Sequence, residues 1–139
     1  MSNANAFFGG QRPVDVWDVT LTVAAAATTA TATSQFKYKG YIEKIELDPG
    51  DMATSATLKG YEANTPLATE TREHFCDYTF PASQVELVFH PRVNVATQNT
   101  GANLTVPVSE KYAVCDYLKL DLASAAAADS VRVRVYIRG

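Results

Sequence analysis

Val131, Val133, Val135 and Ile137 alternate with Arg132, Arg134, Tyr136 and Arg138 along the last stretch of the chain. Successive side chains of an extended backbone point to opposite faces, so this pattern predicts a half-buried β-strand with a wet, basic outer face. This sequence ends on it, so this end is expected to be tied into a sheet. The same alternation recurs upstream. Trp17, Val19, Leu21 and Val23 alternate with Asp18, Thr20 and Thr22. From Gln35 to Asp48, Tyr41, Ile45 and Leu47 share a face with Glu43 as the exception, and Asp48-Pro49-Gly50-Asp51 supplies turn chemistry. Met52 to Glu62 places Met52, Ala56 and Leu58 together. Arg72 to Phe80 places His74, Cys76, Tyr78 and Phe80 together. Gln84 to His90 places Val85, Leu87 and Phe89 together. Pro91 then interrupts the ladder, because proline has no amide hydrogen to donate. Val93 and Val95 form a short continuation, and Leu104 to Val108 a further strand. Tyr112 to Ala123 reads as one long strand carrying Leu118, Leu120 and Leu122 on one side.

Between these segments lie an Ala/Thr run, Ala24 to Thr33, read as a loop or weak strand, and the small-residue turn Ser124 to Asp129. The count is about eight to ten strands with a turn signal about every 8–12 residues, the pattern of a sandwich or barrel. No strong amphipathic helix, repeat or domain boundary appears. The expected fold is an all-β antiparallel β-sandwich, jelly-roll or Ig-like, over residues 14–139. Residues 1–13 are expected to form an extended N-terminal arm.

Length and charge narrow the function. A chain of 139 residues fits one domain with a core of its own. A net charge of -3 and a pI of about 5.3 argue against a general nucleic-acid binder. No apolar run is long enough to span a bilayer as a helix, and the first residues lack the basic start and apolar core of a signal peptide. A cytoplasmic origin is therefore expected. Of the two cysteines, Cys76 and Cys115, a buried free-thiol state is favoured over a disulfide.

Candidate chemistry is sparse. His74 and Cys76 lie two apart on one strand, the spacing of a possible thiolate–imidazole pair, but no third orienting residue is marked. His74, Cys76, His90 and Cys115 lack the close ligand pairs that zinc sites use. Asp48 and Asp51 flank a turn without the dense oxygen loop that calcium needs. Asn103-Leu104-Thr105 matches a glycosylation acceptor, which means little without secretion. No enzyme activity, cofactor or metal is expected. The patterned surface features are the paired Phe7 and Phe8, the loop from Thr97 to Asn103 with Asn99 and Asn103, and the face of Arg132, Arg134, Tyr136 and Arg138. Exposed paired aromatics need a reason. Arg and Tyr are enriched at interface hot spots, so that face reads either as a solvated strand surface or as an interface with an acidic subunit neighbour.

From Tyr78 to Gly139 the chain resembles small head decoration, or cement, proteins of tailed bacteriophages. The matching features are Phe89-His90-Pro91-Arg92-Val93, Gly101-Ala102-Asn103-Leu104-Thr105, Tyr112 leading into Asp116-Tyr117-Leu118-Lys119-Leu120, and the closing Val-x-Val-x-Val strand. Gly40-Tyr41-Ile42-Glu43-Lys44-Ile45-Glu46-Leu47 is similar too. The resemblance implies a β-sandwich on the capsid surface of a virion, assembled in the host cytoplasm. Its implied partners are the major capsid protein and other copies of itself, a trimer before a dimer, with no nucleic acid and no membrane. It brings no catalytic residues. The alternative is a tail or host-adhesion module that binds carbohydrate, for which Tyr38, Tyr41, Tyr61 and Tyr78 would be the platform.

Overall fold

In the computed structural model, the alternating C-terminal stretch forms the central strand of a sheet. The structure describes residues 14–50, 52, 55–63, 74–81, 85–94 and 109–139. Among them are eleven strands and no helix: β1 (Val14–Thr22), β2 (Ala30–Thr33), β3 (Gly40–Pro49), β4 (Thr57–Glu62), β5 (Cys76–Thr79), β6 (Leu87–Phe89), β7 (Arg92–Asn94), β8 (Ser109–Lys111), β9 (Ala113–Val114), β10 (Leu118–Ala123) and β11 (Ser130–Arg138). The first sheet has the order β1-β11-β3-β6, with β9 also on β3. The second has the order β2-β10-β4-β5, and β7 pairs with β8 alone. Every pairing is antiparallel.

The two larger sheets meet as a sandwich over one apolar core. β11 contributes Val131, Val133, Val135 and Ile137, all fully buried, and β3 contributes Ile42, Ile45 and Leu47. From the other sheet come Leu58, Leu118, Leu120 and Leu122, with Phe75 and Phe80 beside them. Burying each such side chain contributes about 1.5–3 kcal/mol against the entropy of ordering the chain.

Three local departures from strict alternation shape what lies outside. The first is in β3. Tyr136 pairs with Lys44 but Ile137 pairs with Ile42, so Glu43 is the extra residue of a β-bulge. The inward residues are therefore Ile42, Ile45 and Leu47. Tyr41, expected on the inner face, is 51% exposed. The second is in the stretch read as one strand from Tyr112 to Ala123. It is two strands: β9 lies on the first sheet and β10 on the second, and residues 115–117 cross between them. Asp116 Oδ1 accepts the amide of Tyr117 at 2.7 Å in that crossing, and its carbonyl accepts the amide of Tyr38 at 3.1 Å. The third is Val85, which is exposed rather than packed with Leu87 and Phe89.

The alanine-rich segments are connections laid against each other. Ala125 donates its amide to the Thr28 carbonyl, Ala128 donates to Val23, and Val23 donates to Asp129. Ala26, Ser124 and Ala128 hold positive φ there. The Ala/Thr run ends in strand as β2, while the strand expected from Met52 begins at Thr57. The expected arm of residues 1–13 and the expected strand Leu104 to Val108 lie outside the described residues.

Candidate functional site

The outward face of the first sheet is built by β1, β11 and β3. From β11 come Arg132, Arg134, Tyr136 and Arg138. From β1 come Val14, Val16 and Asp18, and from β3 Glu43, Lys44 and Glu46. The four β11 side chains lie together on one face, as the alternation requires. They are interleaved with acids of the same chain.

Arg132 grips Asp18 with a two-pronged contact: Nε donates to Oδ1 at 3.0 Å and Nη2 to Oδ2 at 2.6 Å. Such forked geometry is the strong form of an otherwise weak exposed pair. The Arg132 bond holds the Asp18 carboxyl below its usual range. One strand over, Glu46 Oε1 accepts the Tyr136 hydroxyl at 2.6 Å. Arg134 lies 3.6 Å from the same oxygen and Lys44 lies 3.6 Å from the other. Lys44 Nζ also sits 4.6 Å from the centre of the Tyr136 ring. The Tyr136 bond, then the two cations, lowers the Glu46 carboxyl. Glu43, pushed outward by the bulge, accepts from Lys111 Nζ at 2.7 Å and lies 3.7 Å from Arg138 Nε. Lys111 chiefly, then Arg138 and Arg92, lower its carboxyl too. Depressed carboxyls add stability above their ordinary values, near 3.8 for Asp and 4.5 for Glu, and that stability is lost as pH falls through the lowered ones. These groups face solvent, so the contribution of each is small.

The expected basic face is therefore a mixed charge network, matched by Asp18, Glu43 and Glu46. Asp18 and Glu46 were visible in the sequence as outward residues of their own strands, whereas Glu43 was read on the face of Ile45 and Leu47 and is turned outward by the bulge; only the register of β1 and β3 against β11 brings all three beside the arginines. Apolar surface borders the network: Val14, Val16 and Val88 are all exposed. Phe7, Phe8, Asn99 and Asn103 lie outside the described residues.

The other candidates are dispersed. Cys76 faces the core, with Sγ 3.8 Å from the Leu58 carbonyl. His74 instead packs edge-on against Tyr61, with ring centres 5.7 Å apart. No hydrogen bond joins His74 to Cys76, and His74 Nε2 has no hydrogen-bond partner among the described residues. Cys115 is free like Cys76, but it is exposed in the crossing between β9 and β10, which corrects the expectation that both thiols are buried. Its Sγ lies 3.9 Å from Glu62 Oε2. Among the described residues no group of three or more His, Cys, Asp or Glu side chains is placed to hold a metal. Of the four tyrosines considered as a glycan platform, Tyr41 is exposed, whereas Tyr61 is 3% exposed and donates its hydroxyl to Asp121.

Burial pushes the Cys76 thiol up to about 12 from an ordinary value near 9. At pH 8, alkylation of the native protein is expected to label Cys115 alone, and denaturant to expose the second site. Mass spectrometry of the intact chain reads the count, and two labels on the native protein would contradict the burial of Cys76. The folded state holds this thiol protonated, so its contribution is intact below pH 9 and lost as pH rises from there toward 12.

The fold and this face together define an all-β sandwich whose most developed surface is a charge network edged by valines. No family model, curated protein or solved structure matches the chain.

Proposed function

We propose that the chain is a bacteriophage head decoration protein. In this reading it binds the outer capsid surface at junctions between major capsid proteins and cements the shell as a homo-oligomer. The observation that carries the reading is β1. It is a nine-residue edge strand, paired to β11 without a register break, and no strand pairs with its other edge among the described residues. It contains no Pro, Lys, Arg or bulge, and of the devices that guard such edges it carries only the charges of Asp15 and Asp18. Val14 and Val16 stand exposed along it. Beside it a groove of about 390 Å³ is lined by Trp17, Val19, Thr33, Tyr38 and Phe36, and Phe36 is 67% exposed. An edge and groove of this kind suit a subunit that adds itself to other polypeptides.

The strand order supports a jelly roll over an Ig-like sandwich. Taken in chain order, the eight strands of the two sheet paths pair first with last (β1·β11), second with seventh (β2·β10), third with sixth (β3·β6) and fourth with fifth (β4·β5). Such nested pairing is what one long hairpin rolled on itself gives, and it favours the double Greek key of a jelly roll.

The test is co-sedimentation with phage heads lacking the protein, followed by electron microscopy. Ordered density at capsomer junctions is the expected result. Density on the tail, or none, would overturn the reading and leave host adhesion as the alternative. Val16→Lys is expected to lower head occupancy about tenfold while leaving the melting temperature within a degree or two, since Val16 touches solvent rather than core.

A further inference from the structure

The bulge in β3 does more than rotate Ile42 into the core. It leaves two consecutive side chains, Glu43 and Lys44, on the outer face, where regular alternation allows one. Cations from three further strands converge there: Arg138 of β11, Lys111 of β8 and Arg92 of β7. Lys111 and Arg138 reach Glu43 directly, and Arg92 lies close enough to lower its carboxyl.

Two hollows meet at this point. One, of about 470 Å³, is lined by Tyr41, Arg92, Glu110 and Lys111. The other, of about 190 Å³, is lined by Val14, Glu43, Lys44, His90, Tyr136 and Arg138. The Lys111–Glu43 pair stands between them. Four cations, Lys44, Arg92, Lys111 and Arg138, line the two hollows against two carboxylates, Glu43 and Glu110, with Glu46 a third acid 3.6 Å from Lys44. The chain as a whole has the opposite balance, 12 Lys and Arg against 15 Asp and Glu. The molecule therefore concentrates positive charge at one end of one sheet while carrying a negative total.

We infer that this bulged end docks an acidic polypeptide segment of the binding partner, with side-chain carboxylates entering the two hollows. The inference rests on the reading that the chain binds another protein, and it names the chemistry of what is bound. Arg92 spends Nη1 on the Pro91 carbonyl at 2.7 Å, and Lys44 and Lys111 already face Glu46 and Glu43, so an incoming carboxylate would take the remaining donors of these three cations. Exposed Tyr41 and Val14 add contact for the aliphatic parts of a peptide. A polynucleotide fits less well, because the chain as a whole carries a net charge of -3 and repels it.

Amide NMR of the full chain, titrated at low salt with short poly-glutamate, poly-lysine or oligothymidine, tests this without any phage component. Poly-glutamate is expected to shift residues around Tyr41 to Lys44, Arg92, Lys111 and Arg138. The shifts should vanish at about 0.5 M salt, where screening acts within about 5 Å. Arg92→Glu is expected to weaken poly-glutamate binding about tenfold, while Lys59→Glu on the opposite sheet leaves it unchanged. Shifts scattered over the surface, equal loss in both variants, or tighter binding of oligothymidine would each overturn the inference. Because no head is used, failure to bind heads leaves this result standing, and the converse holds.

Discussion

Gly40→Ala is expected to lower stability by more than about 3 kcal/mol, a large part of the ~5–15 kcal/mol that holds a domain together. Gly40 opens β3 at a φ of +142°, a conformation that side chains rarely adopt. A Cβ built there would lie 2.2 Å from the Arg138 carbonyl oxygen and 2.7 Å from Gly139 Cα. Both are backbone atoms, so no rotamer change relieves the clash. The strained φ costs about 1–3 kcal/mol by itself. Moving the backbone costs more, because it parts the Arg138–Tyr41 pairing at the end of β11 and the Gly40–Val114 pairing with β9. For a chain of this size the melting temperature should fall by roughly 10 °C. Urea denaturation followed by circular dichroism checks it, and a change under about 0.5 kcal/mol would show that β11 does not approach Gly40 as described.

The second large effect is a coupling. Gly60 faces the core, and a Cβ there would sit 2.4 Å from Cε1 of Phe75. Phe75 is buried and packs edge-on against Tyr112 at 5.7 Å, so the ring has little room to yield. Gly60→Ala alone is expected to cost about 1–3 kcal/mol through overpacking. Phe75→Ala alone leaves a cavity and costs about 3–5 kcal/mol. Together they should cost less than the sum by about 1–2 kcal/mol, because the new methyl enters the space the ring vacated. A double-mutant cycle in urea measures this, and additivity within about 0.5 kcal/mol would mean that the Phe75 ring does not fill the space over Gly60.

These glycines mark the boundary of what periodicity reveals. The inward row of β11 and the Leu118–Leu120–Leu122 row of β10 were legible because each depends on one strand and its period of two, and the turn from Ser124 to Asp129 because its small residues break that period. The bulge was not, because a single inserted residue looks like noise until the partner strand is known. Its trace was present in Ile42, Ile45 and Leu47, whose spacing of three then two fits a bulged strand better than Tyr41, Ile45 and Leu47 fits a regular one. The crossing at 115–117 was hidden for the same reason: continuous extended sequence does not say which sheet a strand joins. The outer face failed in a more instructive way. Arg132, Arg134 and Arg138 read as a basic surface because the acids opposite them come from residues 18, 43 and 46, about a hundred positions away, and only tertiary register makes them neighbours.

That separation also governs how the chain is made. β11 is the last of the described strands in chain order, yet it lies between β1 and β3 and joins them through register pairs such as Val14 with Arg138 and Val131 with Pro49. Until it emerges, the first sheet has no centre. Trp17, Leu21, Ile42, Ile45 and Leu47 must wait without their final partners until β11 has been made. Such long-range closure makes folding slow and leaves sticky strands exposed meanwhile. Removal of the last residues of β11 should therefore yield insoluble product rather than a slightly weakened fold, and chaperone demand should peak just before β11 emerges.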